Sequence, residues 1–274
     1  MEMLLCSGLT FRKEVFMNTV SVGNVLFGSD NLLVIAGPCA IESYESYLDI
    51  ALGVKKSGAC MLRGGAFKPR SSVDSFQGLG EEGLRIISSI SKEIGLPVVT
   101  EVMDTRDVQL VSKYADMLQI GARNMQNFNL LKEVGICKKP VLLKRGFCST
   151  VEEWLLAAQY ITSSGNPNVV LCERGIRTFE TSTRNTLDIS SVAVIHELSS
   201  FPIVVDPSHA TGKWQYVSSM SMASVACKCD GLMIEVHNDP INALCDGKQS
   251  LKLDTFDSLM NDLTKLHNVI KNIA

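Results

Sequence analysis

Residues 61–72 read MLRGGAFKPRSS. Met61 and Leu62 end an apolar run, and Arg63 follows at once. Two glycines and a proline then keep the chain from continuing as a helix. Three cations, Arg63, Lys68 and Arg70, and two hydroxyls, Ser71 and Ser72, crowd this short turn. Arginine suits phosphate and carboxylate by the fork of its guanidinium, lysine by point charge. The stretch reads as the end of a buried strand that opens into a loop facing a small, strongly anionic ligand. A solvated basic loop is the plainer alternative, and the other strand ends decide between them.

The same unit recurs along the chain. Apolar runs at 32–36, 60–62, 97–102, 117–120, 140–143, 168–172, 201–205 and 231–236 read as buried parallel strands. Segments with helical spacing lie between them at 44–57, 81–94, 106–114, 128–134, 151–162, 187–198 and 217–226, and 256–273 closes the chain. Thr105, Asn127 and Thr150 stand where N-caps belong, and Gly58, Gly95 and Gly165 follow helices as C-terminal caps. Eight strands, each followed by a helix, is the count of a (β/α)8 TIM barrel, and 274 residues fits its usual size of roughly 250. A doubly wound sheet would usually show fewer strands and a GxGxxG first turn, where this chain has Gly37-Pro38-Cys39. Ahead of the barrel, 19–22 and 25–27 flank Gly23-Asn24 as in a two-residue β-hairpin, placed to cap the bottom of the barrel. Residues 1–18 carry no readable pattern. The expected organisation is an N-terminal extension with the hairpin over 1–30 and one catalytic barrel over 31–274.

Composition narrows the function classes. With 46% hydrophobic and 20% charged residues the chain is an ordinary globular protein. A net charge of -3 leaves no basic footprint for nucleic acid, and the cations are concentrated in a few places instead. No apolar run is long enough to span a bilayer, and the first residues lack the pattern of a signal peptide. The nine cysteines mostly lie in apolar runs, and Cys227 and Cys229 are too close for a zinc knuckle. They read as reduced core thiols, which implies a cytoplasmic protein.

Barrel enzymes place their sites at the C-terminal ends of the strands. Here Arg63, Lys68, Arg123, Lys144 and Arg174 fall on four of those ends. Charges there are costly unless paired or ligated, and five cations converging on one mouth point to anion binding. Cys39, His209, Glu235 and Asp246 come from the first, seventh and eighth strand ends and the loop that follows, which are neighbours once the barrel closes. Singly, Cys39 reads as a core thiol and His209 as a hydrogen-bonding residue. Together, one thiolate, one imidazole and two carboxylates suit Mn2+, Fe2+, Zn2+ or Co2+. His237, two residues beyond Glu235, is expected on the same side as a supporting group. Two other readings fit the same barrel: a metal-free Schiff-base aldolase with Lys144 as nucleophile, and a non-catalytic sugar-phosphate-binding protein.

The segments GPCAIES (37–43), LRGGAFKPRSS (62–72), QIGARNMQNF (119–128), LLKRG (142–146), ERGIRTFE (173–180), DPSHATG (206–212) and EVHNDPINALCDGKQ (235–249) occur in that order. They resemble the 3-deoxy-D-arabino-heptulosonate 7-phosphate (DAHP) synthase family. Within it, the likeness is to the type I beta branch, related to 3-deoxy-D-manno-octulosonate 8-phosphate (KDO8P) synthase. The likeness runs from about residue 32 to the C-terminus.

It implies a transferase that condenses phosphoenolpyruvate with erythrose 4-phosphate and water to give DAHP and phosphate. This is the first step of the shikimate pathway to chorismate and the aromatic amino acids. Phosphoenolpyruvate would be held by Arg63, Lys68, Arg123, Lys144 and Arg174, and the aldose phosphate by the element Lys68-Pro69-Arg70-Ser71. The metal ligands would be Cys39, His209, Glu235 and Asp246, with the metal polarising or orienting the aldehyde. For proton transfer, Glu101, Lys68 and a water on the metal are the open alternatives. The Lys-Pro-Arg-Ser element favours erythrose 4-phosphate, and KDO8P synthase with arabinose 5-phosphate is the alternative. Cys39, where metal-free sister enzymes resemble this site with Asn, implies metal dependence. Only about 30 residues precede the first barrel strand, too few for a regulatory domain or a fused mutase, so no feedback inhibition by tyrosine or phenylalanine is expected. A homo-oligomer, dimer or tetramer, is the remaining implication.

Overall fold

Gly23, at φ +58°, lets Val20–Val22 (β1) turn back as Val25–Phe27 (β2), the hairpin expected from the Gly-Asn pair. The computed structural model of the chain describes residues 18–68 and 74–273. Val20, Val22, Val25 and Phe27 are buried against the inner residues of a barrel. The Asn18 amide donates to the Ser200 carbonyl, and Gly23 lies against Pro97; both partners precede barrel strands. The hairpin therefore closes the N-terminal end of the barrel.

Eight parallel strands form it: β3 (Val34–Gly37), β4 (Met61–Arg63), β5 (Val98–Glu101), β6 (Met117–Ile120), β7 (Val141–Lys144), β8 (Val169–Glu173), β9 (Ile203–Val205) and β10 (Gly231–Glu235). They pair in chain order, and β10 closes on β3. The helices are α1 (Tyr44–Lys56), α2 (Glu81–Ile94), α3 (Val108–Tyr114), α4 (Phe128–Cys137), α5 (Val151–Ser163), α6 (Ser190–Leu198), α7 (Pro207–Thr211), α8 (Trp214–Ala226) and α9 (Leu253–Lys271). This is the (β/α)8 TIM barrel with an N-terminal hairpin read from the sequence.

The strands are apolar throughout because both of their faces are covered. Val34, Ala36, Leu62, Val98, Leu118, Leu143, Leu171, Val205 and Ile234 pack outward on the helices. Between them, Ile35, Met61, Val99, Met117, Leu142, Val170, Val204 and Met233 fill the barrel interior. Successive strand residues alternate faces. The next inward position on each strand, two residues on, is therefore Gly37, Arg63, Glu101, Gln119, Lys144, Cys172, Asp206 or Glu235. Six of these eight positions, all but Gly37 and Cys172, are polar or charged, and that layer is the floor of the mouth.

Several boundaries differ from the sequence reading. Asp104, not Thr105, starts the helical segment after β5: its side chain accepts the Arg106 amide and opens a 3-10 turn, Thr105–Asp107, ahead of α3. Residues 207–211, which include the His209 read as belonging to the seventh strand end, form α7, because Asp206 caps it and Pro207 at its first position is preset for a helix. Asn127 and Thr150 cap α4 and α5 as expected, the latter in a reciprocal capping box with Glu153. The eight cysteines at described positions are unbridged thiols. No described helix is long and apolar enough to cross a membrane.

Candidate active site

Above the polar layer lies a cavity of about 340 Å3, lined by Arg63, Lys68, Arg123, Lys144, Arg174 and Arg184 among others. That is within the range for small-ligand sites, about 300–1,000 Å3. Strand periodicity selects which member of each charged pair enters. Lys144 and Arg174 point inward, whereas their neighbours Arg145 and Glu173 meet each other behind the strands at 3.0 Å, with Asp188 2.7 Å from Arg145.

The cations are unevenly balanced. Arg63, at the end of β4, donates to Glu235 at 2.6 Å, and Lys144 donates to Asp206 at 2.5 Å. Arg184 lies 3.6 Å from Asp246. Lys68, Arg123 and Arg174 form no carboxylate ion pair among the described residues, and Arg63 Nε is buried without a hydrogen-bond partner. Arg123 and Arg174 instead flank the ring of Phe147, with guanidinium carbons 5.5 and 4.7 Å from its centroid, and Arg177 approaches to 4.9 Å. An aromatic face attracts a guanidinium. Here one ring lies among three of them and partly offsets their mutual repulsion. A concave site with excess positive charge is complementary to a polyanion of small size.

On the adjoining wall Cys39, His209, Glu235 and Asp246 come together, with one ligand atom of each within 4.8 Å of all the others. Their placement follows from local structure. Gly37 has φ +148°, and a Cβ there would fall 2.2 Å from the Arg63 carbonyl, so the close approach of β3 and β4 that carries Cys39 over the mouth requires glycine. His209 is set by Asp206, whose Oδ1 accepts the His209 amide and whose Oδ2 accepts Nδ1 at 2.7 Å. With Nδ1 as donor, the Nε2 lone pair faces Glu235 Oε1, 3.3 Å away. Asp246 adopts a left-handed conformation, φ +52°, which Asp tolerates better than most residues. Ligand bonds of about 2.0–2.3 Å from one ion fit atoms spaced this closely, and the donor set suits a borderline divalent metal.

Electrostatics keep the carboxylates ionised. Burial raises Asp206, but the His209 and Lys144 charges and the His209 hydrogen bonds outweigh it and hold it well below its ordinary range. Burial likewise raises Glu235, and His209 and Arg63 overcome it. For His209, burial is the largest influence and lowers the imidazole below its usual value, against the pull of Asp206 and Glu235.

Cys39, His209, Glu235, Asp246, Arg63, Lys68, Arg123, Lys144, Arg174 and Glu101 thus share one mouth. Arg70 and Ser71 lie outside the described residues. Lys68 Nζ donates to Cys39 Sγ at 2.9 Å and to its carbonyl at 3.1 Å, which bridges the two walls. Glu101 is held by Gln119 Nε2 at 3.2 Å. His237 stands outside the quartet: Nδ1 accepts the Asp239 amide, and Nε2 lies 3.5 Å from Glu42. β10 ends at Glu235, so strict alternation no longer governs His237. Asp206 and Gln119 were not singled out by the sequence reading, although counting by two from each strand interior reaches both. Phe147, Arg184 and Gln249 come from loops and carry no comparable signal.

A phospho-2-dehydro-3-deoxyheptonate aldolase of Thermotoga maritima is 49% identical over 251 residues, covering 92% of this chain and 74% of the relative. A crystal structure of phospho-2-dehydro-3-deoxyheptonate aldolase (DAHP synthase) from Thermotoga maritima matches with a TM-score of 0.91 and 47% identity, covering 93% of this chain and 75% of that one. A 2-dehydro-3-deoxyphosphooctonate aldolase of Desulfatibacillum aliphaticivorans is more distant, at 35% identity over 90% of this chain and 96% of its own length. The family model described as DAHP synthetase I matches residues 13–270. With nearly the whole chain matched, the protein belongs to the DAHP synthetase I family.

Proposed function

We propose that this chain is a divalent-metal-dependent transferase that condenses phosphoenolpyruvate with erythrose 4-phosphate and water, giving DAHP and phosphate. The observation that carries the reading is the pairing, in one cavity, of a surplus of cations with the Cys39–His209–Glu235–Asp246 quartet. Phosphoenolpyruvate brings a carboxylate and a phosphate, and Arg63, Lys68, Arg123, Lys144 and Arg174 would neutralise both. Holding them in place also fixes the face of C3, which is catalysis by positioning. C3 attacks the aldehyde carbon, water adds at C2, and phosphate leaves by C–O cleavage. Glu101 and Lys68 are the side chains in the cavity that can carry the protons. A divalent ion, Mn2+, Fe2+, Zn2+ or Co2+, held by the quartet supplies Lewis acidity toward the aldehyde oxygen. Lys68-Pro69-Arg70-Ser71 would take the aldose phosphate, and the higher identity to the heptonate than to the octonate aldolases supports the shorter aldose. The reading includes a cytoplasmic homo-oligomer, dimer or tetramer, whose mass light scattering measures.

Phosphate release from phosphoenolpyruvate by metal-stripped protein tests it, with erythrose 4-phosphate or arabinose 5-phosphate, each with and without Mn2+. Mn2+-dependent turnover with erythrose 4-phosphate alone is expected. Full activity without metal would overturn the quartet, and turnover only with arabinose 5-phosphate would overturn the substrate. A smaller effect follows from Phe147→Ala: with the ring removed, Arg123 and Arg174 repel each other unscreened, and KM for phosphoenolpyruvate should rise about 10-fold with kcat little changed. Steady-state kinetics read this directly, and an unchanged KM would show that the stacking does not position the arginines.

A further inference from the structure

Glu235 is fully buried, and its two oxygens have different partners. Oε1 accepts from Arg63 and lies 3.3 Å from His209 Nε2. Oε2 accepts from Gln249 Nε2 at 2.6 Å. The other end of the Gln249 amide, Oε1, accepts from Arg184 at 3.0 Å, and the same Arg184 nitrogen is 3.6 Å from Asp246 Oδ1. The amide orientation is forced, since a carboxylate only accepts and a guanidinium only donates. Gln249 is 2% exposed, in a 3-10 turn (Gly247–Gln249) that directly follows Asp246. The backbone on either side is locked: the Gln249 amide donates to the Asp246 carbonyl, and Leu251 and Glu235 are joined by a main-chain hydrogen bond.

We propose that Gln249 is a positioning residue for the metal carboxylates, fixing the plane of Glu235 directly and the reach of Arg184 toward Asp246 through its carbonyl. The inference rests on the metal reading above. With Oε2 held by Gln249 and Oε1 by Arg63, the Glu235 carboxylate cannot rotate, and Oε1 stays turned toward His209 Nε2. A neutral amide does this without neutralising the carboxylate. A lysine or arginine at the same point would compete with the cation. The other anchored group, Arg184, is held beside Asp246 by the Gln249 carbonyl and is kept from swinging across the mouth.

The test is Mn2+ binding to metal-stripped full-length protein, followed by the electron paramagnetic resonance of free Mn2+, with the visible spectrum of the Co2+ form as a second readout. Wild type is expected to bind one Mn2+ per chain. Gln249→Met, similar in length but unable to make either hydrogen bond, should bind Mn2+ about 10- to 100-fold more weakly and shift the Co2+ bands. Gln249→Asn keeps an amide but is one methylene too short, and it should lose affinity in the same direction; it serves if the methionine variant fails to fold by circular dichroism. A merely structural glutamine would leave the Co2+ spectrum unmoved. Folded variants that bind Mn2+ within twofold of wild type with an unchanged Co2+ spectrum would overturn the role of Gln249 alone. Wild type that binds neither ion would overturn the metal reading and this inference with it.

Discussion

Replacing Arg63 with methionine is expected to lower kcat/KM for phosphoenolpyruvate by about 1,000-fold or more and, separately, to destabilise the protein by about 3–5 kcal/mol. The two losses have different origins. Arg63 is 4% exposed, donates through NH1 to Glu235 and lines the cavity among a surplus of cations, while its Nε is buried without a partner among the described residues. The guanidinium is one of the cations that an anionic substrate would meet in the cavity, so removing it removes charge that binds the ligand. The stability loss comes from Glu235, which stays fully buried with Gln249 but without its guanidinium. A buried carboxylate deprived of its counter-charge is costly, and methionine fills most of the arginine's length, so little of the loss is cavity formation. The double variant Arg63→Met/Glu235→Gln separates the origins. Neutralising the orphaned carboxylate should restore most of the stability in urea unfolding while activity stays lost, a coupling expected of residues in contact. If the double variant is no more stable than the single one, the ion pair is not the source of the loss. A fall of less than about 10-fold in kcat/KM would remove Arg63 from the anion site.

How much of this was readable in advance follows from strand geometry. Arg63, Lys144 and Glu235 could be picked out because each ends an apolar run, and a charge at such a place has few structural reasons to exist. The alternation of strand faces, carried one step further, would also have supplied Gln119 and Asp206, both two residues beyond an interior side chain. It also explains why Lys144 and not Arg145, and Arg174 and not Glu173, reaches the cavity. Arg184 had no such signal. It sits in the loop after β8, and its place at the mouth depends on the Arg184 and Asn185 amides donating to the Thr211 and Ala210 carbonyls of α7. Those partners are 25 or more residues away in sequence. Phe147 lies in a loop after β7, and only the fold brings three guanidinium groups onto its ring. Sequence periodicity reports what strands and helices must do, while loop residues take their roles from contacts that periodicity does not encode.

Asp206→Asn is the second large effect, because this one carboxylate serves both walls of the site. Its Oδ2 accepts from His209 Nδ1 at 2.7 Å and from Lys144 Nζ at 2.5 Å, and its Oδ1 accepts the His209 amide as the cap of α7. Asparagine offers one acceptor and one donor in the same space. If the carbonyl keeps the cap, the amide nitrogen meets two donors, Lys144 and His209 Nδ1–H. His209 then escapes the clash by moving its proton to Nε2, which turns an N–H rather than a lone pair toward Cys39, Glu235 and Asp246. If the amide flips, the helix cap is lost instead and α7, five residues long, loses the hydrogen bond that orients it. In either arrangement Lys144, whose side chain is 5% exposed, loses the counter-charge that positions it. The expected result is a Mn2+ affinity lower by about 10- to 100-fold together with a kcat/KM lower by about 1,000-fold or more. Nitrogen-15 spectra of labelled histidine in the metal-free protein read the tautomer independently of activity: wild type should show His209 protonated at Nδ1, and a folded variant with the carbonyl on the cap should show it at Nε2. A variant that binds Mn2+ and turns over within about 10-fold of wild type would mean that Asp206 only caps a helix, and that Lys144 and His209 are set by other contacts.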